Sequence, residues 1–181
     1  MKELDHLAAI FEKYDTFIID LWGVMHNGVT LNSSALEAVD KLKKNSKKIV
    51  FLSNAPRPCL LYTSDAAEMK MDKRYLENVM TSGEAAMHAI NQKKFGKTFY
   101  HLGPTRDTSI FEKVKDNKTD LQSCDFILCT GLFDDYDNDL EYYKKFLFKH
   151  VSKKLICTNP DLIVHRGNVE ELCAGSIAKV F

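Results

Sequence analysis

An α/β fold built on parallel strands is what this sequence predicts, and three observations predict it. Short apolar runs of strand type alternate with segments of helical period, the runs end in polar loops, and 45% of the 181 residues are hydrophobic, enough to bury a substantial core. The first run, Phe17-Ile18-Ile19, ends directly on Asp20 and continues as Leu21-Trp22-Gly23-Val24. In an open α/β sheet ligands bind beyond the carboxyl ends of the strands, so an acid placed there faces a site and not the core.

The elements follow in order. Leu4, Leu7, Ala8 and Phe11 recur at helical spacing and predict an amphipathic helix over residues 3 to 13, leading into a strand at 16 to 20. Asn32-Ser33-Ser34 offers an N-cap to a helix that carries Leu36, Val39 and Leu42 on one face, and its basic end suits the negative pole of the helix dipole. Residues 48 to 52 form a continuous apolar strand that stops at Ser53-Asn54-Ala55-Pro56. A third strand, Asn78 to Thr81, turns at Ser82-Gly83 into a helix through Met87 and Ile90. Past residue 95 the alternation restarts, with strands at 97 to 102, 125 to 130 and 154 to 158 and helical patterns at 108 to 115 and 138 to 150. Between the second and third strands, Cys59 to Ala67 shows no sustained helical period. That stretch resembles a translated sequencing adapter, so no function is read from Cys59 or Tyr62.

Composition excludes several classes of function. The 25 basic and 25 acidic residues balance, which gives no electrostatic case for nucleic acid. No apolar run approaches the roughly 20 residues of a membrane span, and no signal-peptide pattern opens the chain, so the expected compartment is the cytoplasm, with no membrane partner. Five cysteines without a C-x-x-C pair argue against a disulfide framework and a structural zinc site. The acids at 134 to 139 lack the glycine and the glutamate of a calcium loop. Oligomeric state is left open.

A carboxylate at one strand end beside Ser-Asn at another is a constellation suited to phosphoryl transfer. The carboxylate attacks phosphorus, a hydroxyl and backbone N–H groups hold the phosphoryl oxygens, and a magnesium ion offsets the meeting of two anions. FIIDLWGVMHNG, FLSNAPRP and CTNPDLIVHRG, taken together, resemble the haloacid dehalogenase (HAD) superfamily, subclass IIA, the NagD-like phosphatase branch in its D-x-W-G-V form. The resemblance implies a Rossmann-like core with an inserted α/β cap: residues 1–83 as core, 84–172 as cap and 173–181 as the start of the return. It implies Asp20 as nucleophile and Mg²⁺ ligand, the Trp22 carbonyl as a second ligand, and Ser53 with Asn54 as phosphate-binding residues. Asn159, Asp161 and Arg166 then lie on the cap loop that meets substrate, a small phosphorylated metabolite such as a sugar phosphate or nucleotide.

Two departures qualify what the resemblance implies. The family pattern is D-x-D, whose second acid protonates the leaving oxygen and activates water, work worth roughly 10²–10⁴-fold. Trp22 stands in that position, and an indole donates a hydrogen bond without titrating. Turnover is therefore expected to be weak, and a phosphometabolite-binding or regulatory protein without turnover is the alternative. A dehalogenase-like hydrolase comes third, because such enzymes usually carry a helical cap. The family also continues for about 100 further residues, with a lysine and a Gly-Asp motif; on that expectation the polypeptide is C-terminally truncated and inactive by itself.

Overall fold

The computed structural model describes Leu4 and residues 6–181, and its elements follow the predicted α/β alternation. β1 (Thr16–Asp20), β2 (Lys48–Ser53) and β3 (Val79–Thr81) form a parallel sheet in the order β1-β2-β3. Asp20 is level with Leu52, and Ser53 with Thr81, so Asp20, Ser53 and Thr81 finish at one edge of the sheet. The strand period of two sends Phe17, Ile49 and Phe51 into a core with Val39 and Leu42 of α2 (Ser33–Lys44) and Tyr62 and Ala66 of α3 (Cys59–Glu68). Ile18, Leu52 and Met80 lie exposed on the opposite face.

Two expectations change in this half. The N-terminal helix is a single turn, α1 (Ala8–Phe11), whose N-cap position holds Leu7 and makes no side-chain capping bond. So short a helix without a cap does not propagate. The remainder of the predicted 3-to-13 helix includes Glu3 and Asp5, which lie outside the described residues. The segment read as lacking helical period does form a helix, α3, and its weak period has a visible cause. Tyr62 and Ala66 turn inward one helical turn apart, whereas Leu60 is 80% exposed, so apolar residues sit on both faces.

β4 (Phe99–Leu102), β5 (Phe126–Cys129) and β6 (Lys154–Cys157) form a second parallel sheet with β5 in the middle and buried throughout. One face packs Phe99, Phe126 and Leu128 against Ile90 of α4 (Ser82–Asn91) and against Ile110 and Phe111. The other packs Leu102, Ile127 and Cys129 against Tyr143 and Leu147 of α5 (Leu140–Leu147) and Ile177 of α6 (Ala174–Val180). The helix expected at 108 to 115 is instead a 3₁₀ segment, Ser109–Asn117, broken where Val114 takes φ −131°. The helix expected at 138 to 150 splits into α5 and a 3₁₀ turn, Phe148–His150. An antiparallel hairpin, β7 (Ile163–Arg166) and β8 (Val169–Leu172), follows β6 and was not foreseen.

Tyr143 anchors the second core. It is fully buried, and its hydroxyl accepts the Phe133 backbone N–H at 2.5 Å. Tyr143→Phe strands that donor, so stability should fall by about 1–3 kcal/mol in a denaturant titration; an unchanged midpoint would show that the N–H finds another partner.

Candidate active site

The carboxyl ends of the first sheet and the hairpin of the second half face each other across a cavity of about 1210 Å³. Asp20, Trp22, Ser53, Asn54, Asn159, Asp161 and Arg166 all line it, so residues up to 146 positions apart in sequence share one wall-to-wall space. Two parallel sheets and a hairpin bring them there, through loops that follow β1, β2 and β6.

Asp20 stands at the open end of β1, and its Oδ1 accepts the Leu21 backbone N–H at 2.7 Å. Enough protein surrounds the carboxyl to push its pKa above the ordinary carboxylate value; burial is the larger cause, the Leu21 bond opposes it, and the negative charge of Asp161 adds to it. Beside it, the buried Ser53 accepts the Ala55 N–H at its Oγ, 3.2 Å away, and its hydroxyl keeps a proton to donate. Asn54 donates from Nδ2 to Asp161 Oδ1 at 3.0 Å, and Asn159 Oδ1 accepts the Asp161 N–H at 3.0 Å. Ser82, the first residue of α4, ties the same loops together: its hydroxyl bonds the carbonyls of Asn54, at 2.9 Å, and of Thr158. The site therefore rests on a polar net that joins the loops after β2, β3 and β6.

Trp22 and Arg166 meet on the other side of the cavity. The indole Nε1 donates to the carbonyl of His165 at 3.1 Å, and the Arg166 guanidinium lies 5.3 Å over the indole ring. Arg166 Nε also pairs with Glu171 at 3.0 Å, so the guanidinium is already engaged by a carboxylate and a ring. His26, on the loop after β1, is 2% exposed; its Nδ1 accepts the Gly28 N–H at 3.1 Å, which assigns the proton to Nε2, bonded to the Tyr62 hydroxyl. Burial pushes its pKa down, and it serves as a neutral packing histidine.

Among the lining residues that the sequence reading did not name as site residues are Arg57, Arg106 and Asp107. Burial pushes the Asp107 carboxyl up, and the charges of Arg57 and Arg106 oppose that shift, so cations from the β2 and β4 loops converge on one acid. The available signal was weak. Pro56-Arg57-Pro58 and Gly103-Pro104 mark strand-end turns, but nothing in the spacing places them together.

Behind the cavity wall, His101 Nε2 and Thr130 Oγ1 are 2.9 Å apart, and burial, with a smaller contribution from Lys118, pushes the imidazole down to about 4. Because the folded value lies below the ordinary 6.5, the native state binds fewer protons than the unfolded chain in that window. Stability is thus present above pH 6.5 and is lost as pH falls towards about 4. Thermal melts across this range should show a falling midpoint, with a shallower fall in His101→Asn; identical slopes in both proteins would contradict it.

Among the described residues no group of three or more His, Cys, Asp or Glu side chains could hold a metal ion. Mg²⁺, however, is commonly held by one or two carboxylates and completed by water and substrate phosphate. Asp20 meets that requirement, since the charge that bears on it, that of Asp161, is also negative. A carboxylate at Asp20, with water to complete the shell, is compatible with a hydrated Mg²⁺.

Comparison with known proteins accords with this geometry. The family profile described as haloacid dehalogenase-like hydrolase matches residues 17–115, more than half of the chain. A haloacid dehalogenase-like family hydrolase from Brucella suis 1330 is similar at 28% identity and TM-score 0.87, over 98% of this chain and 65% of that one. A 4-nitrophenylphosphatase from Thermotoga maritima is similar at 26% identity and TM-score 0.65, over 94% of this chain and 65% of that one. A glycerol phosphate phosphatase from Mycobacterium tuberculosis, solved in complex with magnesium, shares the fold at 18% identity and TM-score 0.61, over 94% of this chain and 52% of that one. The chain thus spans 65% of the length of the first two structures. No curated protein matches it.

Proposed function

The chain belongs to the haloacid dehalogenase-like hydrolase family, and from that premise we propose that the protein is a NagD-like phosphatase acting on a small phosphorylated metabolite. The observation that carries the reading is the placement of Asp20 and Ser53 at the ends of adjacent strands of one parallel sheet, both lining a cavity that the second half of the chain also lines. Asp20 attacks phosphorus through a carboxylate oxygen, the bond to the leaving oxygen breaks as that oxygen takes a proton from water, and a second water hydrolyses the aspartyl-phosphate to release phosphate and restore the carboxylate. The Ser53 hydroxyl donates to a phosphoryl oxygen. Mg²⁺, when bound at Asp20 and the Trp22 carbonyl, supplies positive charge that offsets carboxylate against phosphate. Asn159 and Asp161 face the substrate from the roofing loop and shape what the cavity accepts.

One observation favours a second reading. The Trp22 side chain occupies the place of an acid–base group and spends its only polar hydrogen on His165, so the protein could bind phosphorylated metabolites without turnover. The full-length protein with Mg²⁺ and a panel of phosphate monoesters decides between them. Phosphate release that stops with EDTA supports the hydrolase. Calorimetric binding of a monoester with no release supports the binding protein.

A further inference from the structure

The β7–β8 hairpin sits over the candidate site with little apolar packing to hold it. None of its eight strand residues is buried, and Ile163 and Val169 are 42% and 62% exposed. Only Leu172, at the end of β8, packs against a core cluster, so the tip of the hairpin needs another seat. Its contacts with the loop after β1 are polar and few. The Trp22 Nε1 donates to the His165 carbonyl at 3.1 Å, and the Gly167 N–H donates to the Asn27 carbonyl at 3.0 Å. Arg166 lies over the indole, held there by Glu171 across the hairpin.

The loop is shaped to take this arrangement. Gly28 has φ +83°, and a Cβ there would come within 2.6 Å of the indole ring and 3.4 Å of Arg166 Cγ. Only glycine therefore leaves room for the ring while adopting this backbone. Asn27 fixes the loop from within, as its Oδ1 accepts the N–H groups of Val29 and Thr30 at 3.0 and 2.8 Å.

We propose that Trp22 is a clasp: its indole N–H and ring dock the β7–β8 hairpin on the β1 loop and so position the roof, with the Asn159–Asp161 loop at its base, over Asp20. The residue that departs from the family's second acid thereby carries a different task, holding the cavity closed. This inference concerns the closure of the site and does not require turnover.

The chain's single tryptophan reports on its own clasp. Indole emission in the native protein should be blue-shifted and poorly quenched by acrylamide, and Arg166→Ala and Gly28→Ala should each shift it to the red and raise quenching. The second readout is trypsin cleavage after Arg166, whose rate follows the population of the open hairpin when reclosing is fast. Trp22→Phe keeps a ring beneath Arg166 and loses only the N–H. Loss of one hydrogen bond should raise that cleavage by roughly two- to tenfold, with the thermal midpoint of the protein unchanged. If the residue merely filled space, the phenylalanine would restore wild-type cleavage. Unchanged cleavage in Trp22→Phe, or native emission already that of a solvated indole, would overturn the clasp and leave the proposed hydrolase untouched; loss of turnover in an intact clasp would do the reverse.

Discussion

Asp20→Asn should reduce phosphate release by roughly 10⁴–10⁶-fold, the range typical of removing a covalent nucleophile, while leaving the protein folded and more stable at neutral pH. The stability arm follows from the same carboxyl. Its folded pKa lies above the ordinary carboxylate value, chiefly through burial and further through Asp161, so the native state holds the proton more tightly than the unfolded chain. Ionisation therefore costs stability as pH rises through and beyond that window, and none of the cost is present well below it. Asparagine keeps an oxygen for the Leu21 N–H and carries no charge. The melting midpoint of the variant should exceed that of the parent at pH 7 and match it near pH 3. A catalytic carboxylate held at the expense of stability behaves this way; a structural one would lower the midpoint when lost.

The second large effect is expected at Gly83, where α4 starts. A Cβ there would lie 2.4 Å from the backbone carbon and oxygen of Pro56, and backbone cannot yield as a side-chain tip can. Gly83 lets the helix end abut the loop that leaves Ser53, and the Thr81 hydroxyl caps the same turn through the Glu84 N–H at 3.0 Å. Gly83→Ala should cost about 1–3 kcal/mol, as overpacking does, and should weaken phosphate-monoester binding because the Ser53–Arg57 loop must move. Thermal melts and calorimetry read the two effects separately. A variant with native stability and affinity would mean that α4 does not brace the phosphate loop.

Much of this arrangement was legible in the sequence, and particular residues show why. β1 and β2 were readable because continuous apolar runs end abruptly in Asp20 and Ser53-Asn54, and burial in a parallel sheet demands such runs. The seven site residues named in advance line one cavity because their motifs sit on strand-end loops. The β7–β8 hairpin was not read, since Ile-Val-His-Arg and Val-Glu-Glu-Leu lack a clean alternation; the Gly167-Asn168 turn between them was the signal available. The partnership of Trp22 with His165, 143 residues apart, leaves no local trace at all. Neither does the meeting of Arg57 with Asp107, which depends on how the two halves stand together.

The central claim is that Asp20 carries the phosphoryl group, and one measurement addresses it directly. The full-length protein is mixed with Mg²⁺ and p-nitrophenyl phosphate, quenched in acid, treated with borohydride and digested for mass spectrometry. Reduction of an aspartyl-phosphate converts that aspartate to homoserine, and the account predicts homoserine at position 20 and nowhere else. Phosphate release accompanied by an unmodified Asp20, or by homoserine at another aspartate, would contradict it.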